Sequence, residues 1–580
     1  MRIFKQLWPV FFLVLSFVLI PLTIVNATAL TDKVTNVPVD KVWMITFNHP
    51  VIESSITPNS IYIVNSDNVK QTVKMVVEDD IVKIEPPAKG YEFNQTYTLK
   101  IEADVSGKIG NRAEKLNQTI AKSFTTVNGY AVVNIKIDGS SSPIAYYPTF
   151  EEANANLQES QGIMLGNKYI KIPSGVIATN LKDVTIIYKQ PTFTTALYEY
   201  AGVSTDTELL YVDATAEYVK VNAAGQDMYV KHGDVTLIPA AAAKGQSYYI
   251  ANEKGLWHHI YHHHRGKYDS AYLVGNKPAF LNDGVKYYST DGVKFYNANG
   301  TFVGESYAYF QYVTPRVPTT YSAEQLDQYI ARELEAKELS GNVRYINASA
   351  KSPLQGLGTT LKTIEKEQRI NALFILSLAI HESDYGMSCH AQNYNNLFGL
   401  NVTDSNDECL TETDVNTESN KYFPSIEKNI SDFVKRLNTS YLDPLNMQDY
   451  RYNGLALGNK MIGLNVRYAS DPYWGAKTAG HMYRIDQALG SQDYKEYKVG
   501  ITASSQVSVR YEPIVKIGDE ENRAYQYKLP WTIKRLDMMP ITLANMPLEN
   551  SDWLQVISEL PSYGKDLYTV RENVHIITTH

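Results

Sequence analysis

The sequence predicts a multidomain chain in which a mainly α domain, in the second half, is flanked by a β-sandwich and small β-barrels. Three observations carry that expectation. The 580 residues give room for roughly three to five domains. Short alternating runs broken by turn residues fill the chain to about residue 316 and return after Tyr497. Between them the apolar residues recur at helical spacing and strand patterns are rare.

Residues 1–29 carry Arg2 and Lys5, an apolar stretch from Leu7 to Val25, and Ala27-Thr28-Ala29. A positive start, an apolar middle and an A-x-A site read as a secretory signal peptide. The apolar stretch is also long enough for an uncleaved membrane anchor, the alternative reading. Trp8, Pro9, Ser16 and Pro21 dilute it and favour cleavage after Ala29. The remainder is then secreted or wall-associated, with no stable membrane partner. The formal net charge of −8 gives no electrostatic case for nucleic acid.

Residues 30–127 alternate in short runs, VWMITF, SIYIV, VKMVV, IVKIE and YTLKI, the pattern of a β-sandwich. With Phe47-Asn48-His49-Pro50 and the closing Phe124-Thr125-Thr126, this segment resembles bacterial Ig-like domains, which serve as spacers or adhesion modules. Residues 128–316 are strand-rich as well, interrupted by a helical stretch at 149–157. Residues 216–239 resemble the end of a bacterial SH3-like barrel. Asp283-Gly284 and Asp291-Gly292 are hairpin signals. On one continuous strand, His258, His262 and His264 would share a face and offer three imidazoles to zinc. No carboxylate or cysteine stands at ligand spacing, so the 258–264 cluster is read as a polar strand or hairpin face and no metal is assigned.

Residues 317–492 form the α domain. Ser322-Ala323-Glu324-Gln325 is a capping box opening its first helix. Ile426, Ile430, Phe433, Val434 and Leu437 mark an amphipathic packing helix. Between these lies an unbroken apolar run, Ala372 to Ile380, too continuous for an exposed helix. It turns polar abruptly at His381-Glu382-Ser383-Asp384-Tyr385-Gly386. A carboxylate ending a buried helix sits where low dielectric raises its pKa while substrate still reaches it, as a general acid requires. Position alone favours the plainer reading, a solvated glutamate in the last turn of a helix.

Two further motifs resolve the choice. Asn395-Asn396-Leu397-Phe398-Gly399 follows the helix, and Tyr468-Ala469-Ser470-Asp471-Pro472-Tyr473-Trp474-Gly475 lies downstream. Together with the His-Glu-Ser-Asp-Tyr-Gly helix end, residues 320–490 resemble the glucosaminidases of glycoside hydrolase family 73, bacterial cell-wall hydrolases with a lysozyme-like, mainly α fold. The resemblance implies Glu382 as catalytic acid and a substrate cleft lined by Asn396, Phe398, Tyr468 and Tyr473. In that family the interval after the asparagines forms a small lobe over the cleft and often supplies a second acid. Glu418 is the choice by position and Glu412 the reserve; the substrate's acetamido group is the alternative. Asp471-Pro472 also suits the N-cap and first position of the next helix. Cys389 and Cys409, the only cysteines, are expected to pair and tie the lobe to the acid's neighbourhood, stabilising by about 3 kcal/mol.

Residues 493–580 return to strands, and Val507-Ser508-Val509-Arg510 with Trp553-x-x-Val556 resembles a second SH3-like barrel. The expectation is a secreted peptidoglycan hydrolase without cofactor. It would cleave after N-acetylglucosamine in glycan strands and hold the wall polymer through its accessory domains. A muramidase or lytic transglycosylase, and a non-catalytic wall-binding protein, are the alternatives.

Overall fold

The computed structural model describes residues 34–578, apart from 117, 128, 183, 189, 195, 202–205, 224–225, 403–419, 447–450, 461, 505, 516–517, 519, 528–538 and 545–551. The expected signal peptide, Cys409, Glu412 and Glu418 therefore lie outside the described residues. The chain forms two compact units, one holding Met1–Lys136 and Ser141–Pro173, the other Ile137–Ser140 and Ser174–His580.

The first unit opens with the sandwich that the alternating runs predict. One sheet orders Val34–Val37, Ile120–Thr126, Thr96–Ile101 and Ile61–Asn65; the other orders Trp43–Thr46, Ile81–Ile84 and Met75–Glu78. Every second residue of Thr96–Ile101 turns inward, as a two-residue period requires when one face is buried. The inward residues, among them Trp43, Ile61, Ile63, Val82, Ile84 and Phe124, make one core. Trp43 and Phe124 lie 4.7 Å apart between centroids, an offset contact that adds to simple burial. Beyond the sandwich, four antiparallel strands over 130–171 carry the short helix Phe150–Ala155, capped by Thr149.

In the second unit, seven strands between Val176 and Pro239 form one sheet, followed by the four-stranded sheet of Tyr272–Gly275, Gly255–His259, Tyr248–Asn252 and Lys286–Tyr287. The histidine run breaks at Ile260, and Tyr261–His262 pairs in a separate two-stranded sheet. His258 is buried, stacked 4.0 Å on Tyr249, while His262 meets Asp269 at 2.5 Å. The common face needed for three imidazoles does not form. Among the described residues no three His, Cys, Asp or Glu side chains are grouped to hold a metal.

The α domain follows. Ser322 and Gln325 make the expected capping box at the start of Ala323–Leu339. Helices Gly358–Gln368, Ala372–Ser383, Ile426–Ser440 and Trp474–Leu489 complete the frame. Their core continues without a break into the C-terminal strands: Leu373, Ile375, Phe433 and Ile485 belong to the same buried cluster as Val507, Tyr525, Ile541 and Leu567. The expected borders at 316/317 and 492/493 thus fall inside one packed body. Polar staples reinforce it. Asp493 accepts from the Thr320 N–H at 2.8 Å and from the Thr319 hydroxyl. Buried Arg316 donates to the Glu559 and Leu442 carbonyls at 3.1 and 2.7 Å. Arg369 donates to the carbonyls of Ser558, Leu560 and Tyr563. Each of these guanidiniums meets carbonyl oxygens, which offsets the cost of burying its charge.

Candidate active site

The site is built at the C-terminal end of Ala372–Ser383. Asn371 caps the start, accepting from the Phe374 N–H at 2.9 Å, and Ala372 to Ile380 are buried on all sides. A helix so enclosed points its last turn in a fixed direction. Its end is sharp because Asp384, Tyr385 and Gly386 all take positive φ, at 49°, 61° and 74°. At Gly386 only glycine fits: a Cβ would stand 2.5 Å from Ser352 Oγ as well as in an unfavourable conformation. The turn is held by Ser352 Oγ donating to the Tyr385 carbonyl at 2.7 Å and by Tyr345 donating to Asp384 at 2.7 Å.

Glu382 is half-buried at this end. Its Oε1 accepts from the indole Nε1–H of Trp474 at 2.6 Å. Burial pushes the carboxyl up to about 7; the Trp474 hydrogen bond opposes that shift, and the negative charge of Asp471 adds to it. The neighbouring His381 is pushed down to about 4 by burial and by the Lys477 ammonium, so it is neutral near pH 7. A carboxyl that keeps its proton up to about pH 7 and is only half-buried can give that proton to a leaving oxygen.

The other two motifs converge on this group through aromatic contacts. The Tyr468 ring lies 4.7 Å from Trp474, at 30°. Phe433, from Ile426–Ser440, meets Tyr468 edge-on at 6.3 Å and stacks on Phe398 at 3.8 Å and 6°. Phe398 is only 3% exposed, so its ring faces Phe433 where the sequence suggested an open face for sugar. Asn396 is likewise buried. Its Nδ2 donates to the carbonyls of Leu400 and Lys421 at 2.9 and 3.1 Å, and its Oδ1 accepts from the Leu400 N–H at 3.0 Å. Asn401 Nδ2 donates to the Asn420 carbonyl at 2.7 Å. These asparagines close the base from which 403–419, the stretch holding Cys409, Glu412 and Glu418, departs and returns.

Tyr468 is partly exposed beside Glu382; burial first, and then the Glu382 charge, push its phenol well above the ordinary range. Tyr473 points elsewhere. It meets His258 edge-on at 4.7 Å and lines a shallow cleft with Tyr249, Asp291, Lys460 and Pro472. Asp471 is not the N-cap that the Asp-Pro pair suggests. The helix starts at Trp474 with Tyr473 as N-cap. Asp471 instead accepts from the Tyr473 N–H at 2.9 Å and pairs with Lys477 at 2.6 Å. Cys389 begins the short helix Cys389–Tyr394, capped by Ser388. Three neighbours of Glu382 were not singled out from sequence as part of the site: Trp474, Lys477 and His381. Only membership of a matched motif pointed to Trp474, since its contact spans 92 positions.

Comparison with known proteins points to the same stretch of the chain. The family model described as mannosyl-glycoprotein endo-beta-N-acetylglucosaminidase matches residues 358–487, and that of the bacterial Ig-like domain matches 20–126. The chain is 34% identical over 175 residues to proteins of two Streptococcus pneumoniae strains, each named "Putative endo-beta-N-acetylglucosaminidase". The match covers 30% of this chain but only 22% and 20% of those relatives, about a fifth of their length. A crystal structure of S. aureus autolysin E is similar at 19% identity and a TM-score of 0.22, covering 31% of this chain and 72% of that one. Residues 358–487 thus match the glucosaminidase family of glycoside hydrolases, and residues 20–126 match the bacterial Ig-like domain.

Proposed function

We propose that this chain is a secreted peptidoglycan hydrolase that cleaves the β-1,4 bond after N-acetylglucosamine, with Glu382 as general acid. The observation that carries the reading is the Glu382 carboxyl, pushed up to about 7 at the open end of a buried helix. In the reaction the Glu382 proton passes to the glycosidic oxygen as the sugar C1–O bond breaks. The bond's electron pair stays with the leaving oxygen, and C1 develops oxocarbenium character. The opposite face of C1 is then met either by water that a second group deprotonates, or by that group itself as nucleophile. In the second case its bond to C1 breaks when water, giving its proton to the Glu382 carboxylate, attacks from the side the leaving group has vacated. Glu418 of the expected lobe is the candidate, with the substrate's own acetamido group as the alternative. Tyr468, partly exposed beside the acid, lines the bound sugar. The names of the pneumococcal relatives support the choice of bond. The bacterial Ig-like domain and the signal-like start support action outside the cell. Among the described residues no helix is long and apolar enough to cross a membrane.

Glu382→Gln tests the reading. It keeps the shape and the acceptor for Trp474 but has no proton to transfer. Clearing of purified cell walls is expected to slow at least about a hundredfold, with an unchanged thermal melt. Near wild-type clearing by a folded Glu382→Gln protein would remove Glu382 from the mechanism.

A further inference from the structure

The hydrogen bond between Trp474 and Glu382 specifies more than the acid's identity. An indole nitrogen donates and cannot accept. With Nε1 at 2.6 Å from Oε1, the contact favours the carbonyl oxygen, the stronger acceptor of the neutral acid, on the side of Trp474. We infer that Trp474 is the positioning residue of this site: it holds Oε1, leaving the transferable proton on Oε2 for the glycosidic oxygen.

Trp474 is unusually well fixed for this task. It is 3% exposed and is the first residue of Trp474–Leu489. The next residue, Gly475, sits so close to Gly458 that a Cβ would stand 2.1 Å from its carbonyl oxygen. The Gly475 N–H also donates to the Asn465 side chain, at 2.9 Å from Oδ1, so the helix start is fixed in place. The Tyr468 ring then limits rotation of the indole from one side. Behind Tyr468 stand Phe433 and Phe398. The asparagine-rich motif and the Tyr-Ala-Ser-Asp-Pro motif thus act on one carboxyl through a continuous row of rings.

The bond has a second consequence. When Glu382 gives up its Oε2 proton, both oxygens share a negative charge, and the indole N–H becomes a donor to an anion. Hydrogen bonds to ionised acceptors are roughly twice as strong as neutral ones. The contact therefore tightens as the proton leaves, and it stabilises the carboxylate that the transition state creates.

This inference rests on Glu382 being the acid, and the test separates the two. Trp474→Phe in the full chain keeps an aromatic ring against Tyr468 and removes the donor. The rate of muropeptide release from purified walls, read as kcat/KM against pH, is expected to fall on the order of tenfold at its plateau. Its alkaline limb is expected to move to higher pH, because the group favouring the ionised form has gone. A purely structural tryptophan would lower the rate without moving the limb. Replacing Trp474 by β-(3-benzothienyl)alanine, which exchanges only the N–H for sulfur, covers the case in which the Phe variant does not fold; the same upward movement is expected. An unmoved limb in a folded variant, with Glu382→Gln inactive, overturns the role of Trp474 alone. Wild-type activity of Glu382→Gln overturns the acid itself, whatever the variants at 474 do.

Discussion

At Glu382 three influences set one proton affinity: burial and the Asp471 charge raise it, and the Trp474 hydrogen bond lowers it. The result, about 7, fixes the sign of the pH dependence. A general acid must be protonated to act, so activity is retained below about pH 7 and falls as pH rises through that value. An ordinary exposed glutamate would have lost its proton near pH 4.3. Asp471→Asn removes a negative charge from the acid's surroundings and leaves the Lys477 ammonium without its carboxylate. Both changes favour ionised Glu382, so the alkaline limb of kcat/KM is expected at lower pH than in the wild type. A limb that stays in place or rises would mean that Asp471 does not sense the acid. The sequence made Glu382 legible because its chemistry and its position coincide, polar residues ending a long apolar run. It did not reveal Trp474, because a contact across 92 positions leaves no local periodicity.

Among elements, the parts read well from sequence were those set by local rules. The capping box at Ser322, the alternation in Thr96–Ile101 and the apolar run of Ala372–Ile380 each form as their spacing dictates. Tertiary packing decided the rest. Phe398 turns inward because Phe433 offers a parallel ring. The last α-helix begins three residues after Asp471, whose carboxylate is already engaged by Lys477. One more prediction concerns the expected lobe, residues 403–419. The chain on either side of it is held together by Asn396 and Asn401, which donate to the carbonyls of Lys421 and Asn420. A Cys389–Cys409 disulfide would fix its first half, leaving Glu418 nearer the return to those contacts than Glu412. Glu418→Gln is therefore expected to lose about a hundredfold or more of wall-clearing activity and Glu412→Gln little. The opposite ranking would give the role to Glu412, and no loss in either would favour the substrate's acetamido group. Thiol labelling of the native protein checks the tether, with neither cysteine expected to react before reduction.

The second unit behaves as one body because the C-terminal strands complete the core of the α domain. Sequence patterns showed strands there but could not show what covers them. Glu559 lies at this junction, buried beside Tyr525, Tyr527 and Arg316, and burial pushes its carboxyl up to about 8. The unfolded chain releases that proton near pH 4.3, whereas the folded chain keeps it to about 8. The contribution of Glu559 to stability is therefore full below the unfolded value and is lost as pH rises to the folded one. Glu559→Gln, neutral at every pH, is expected to melt a few degrees higher than wild type at pH 8 and to lose the advantage near pH 5. A melting difference that does not depend on pH would assign Glu559 a different role. For the molecule as a whole, the central claim is that Glu382 drives cleavage after N-acetylglucosamine, and the new reducing ends read it directly. Purified walls digested with the full chain, reduced with borohydride and analysed by mass spectrometry are expected to yield N-acetylglucosaminitol ends, absent with Glu382→Gln. Muramitol or anhydromuramic ends, or N-acetylglucosaminitol ends that persist in the Glu382→Gln digest, would contradict it.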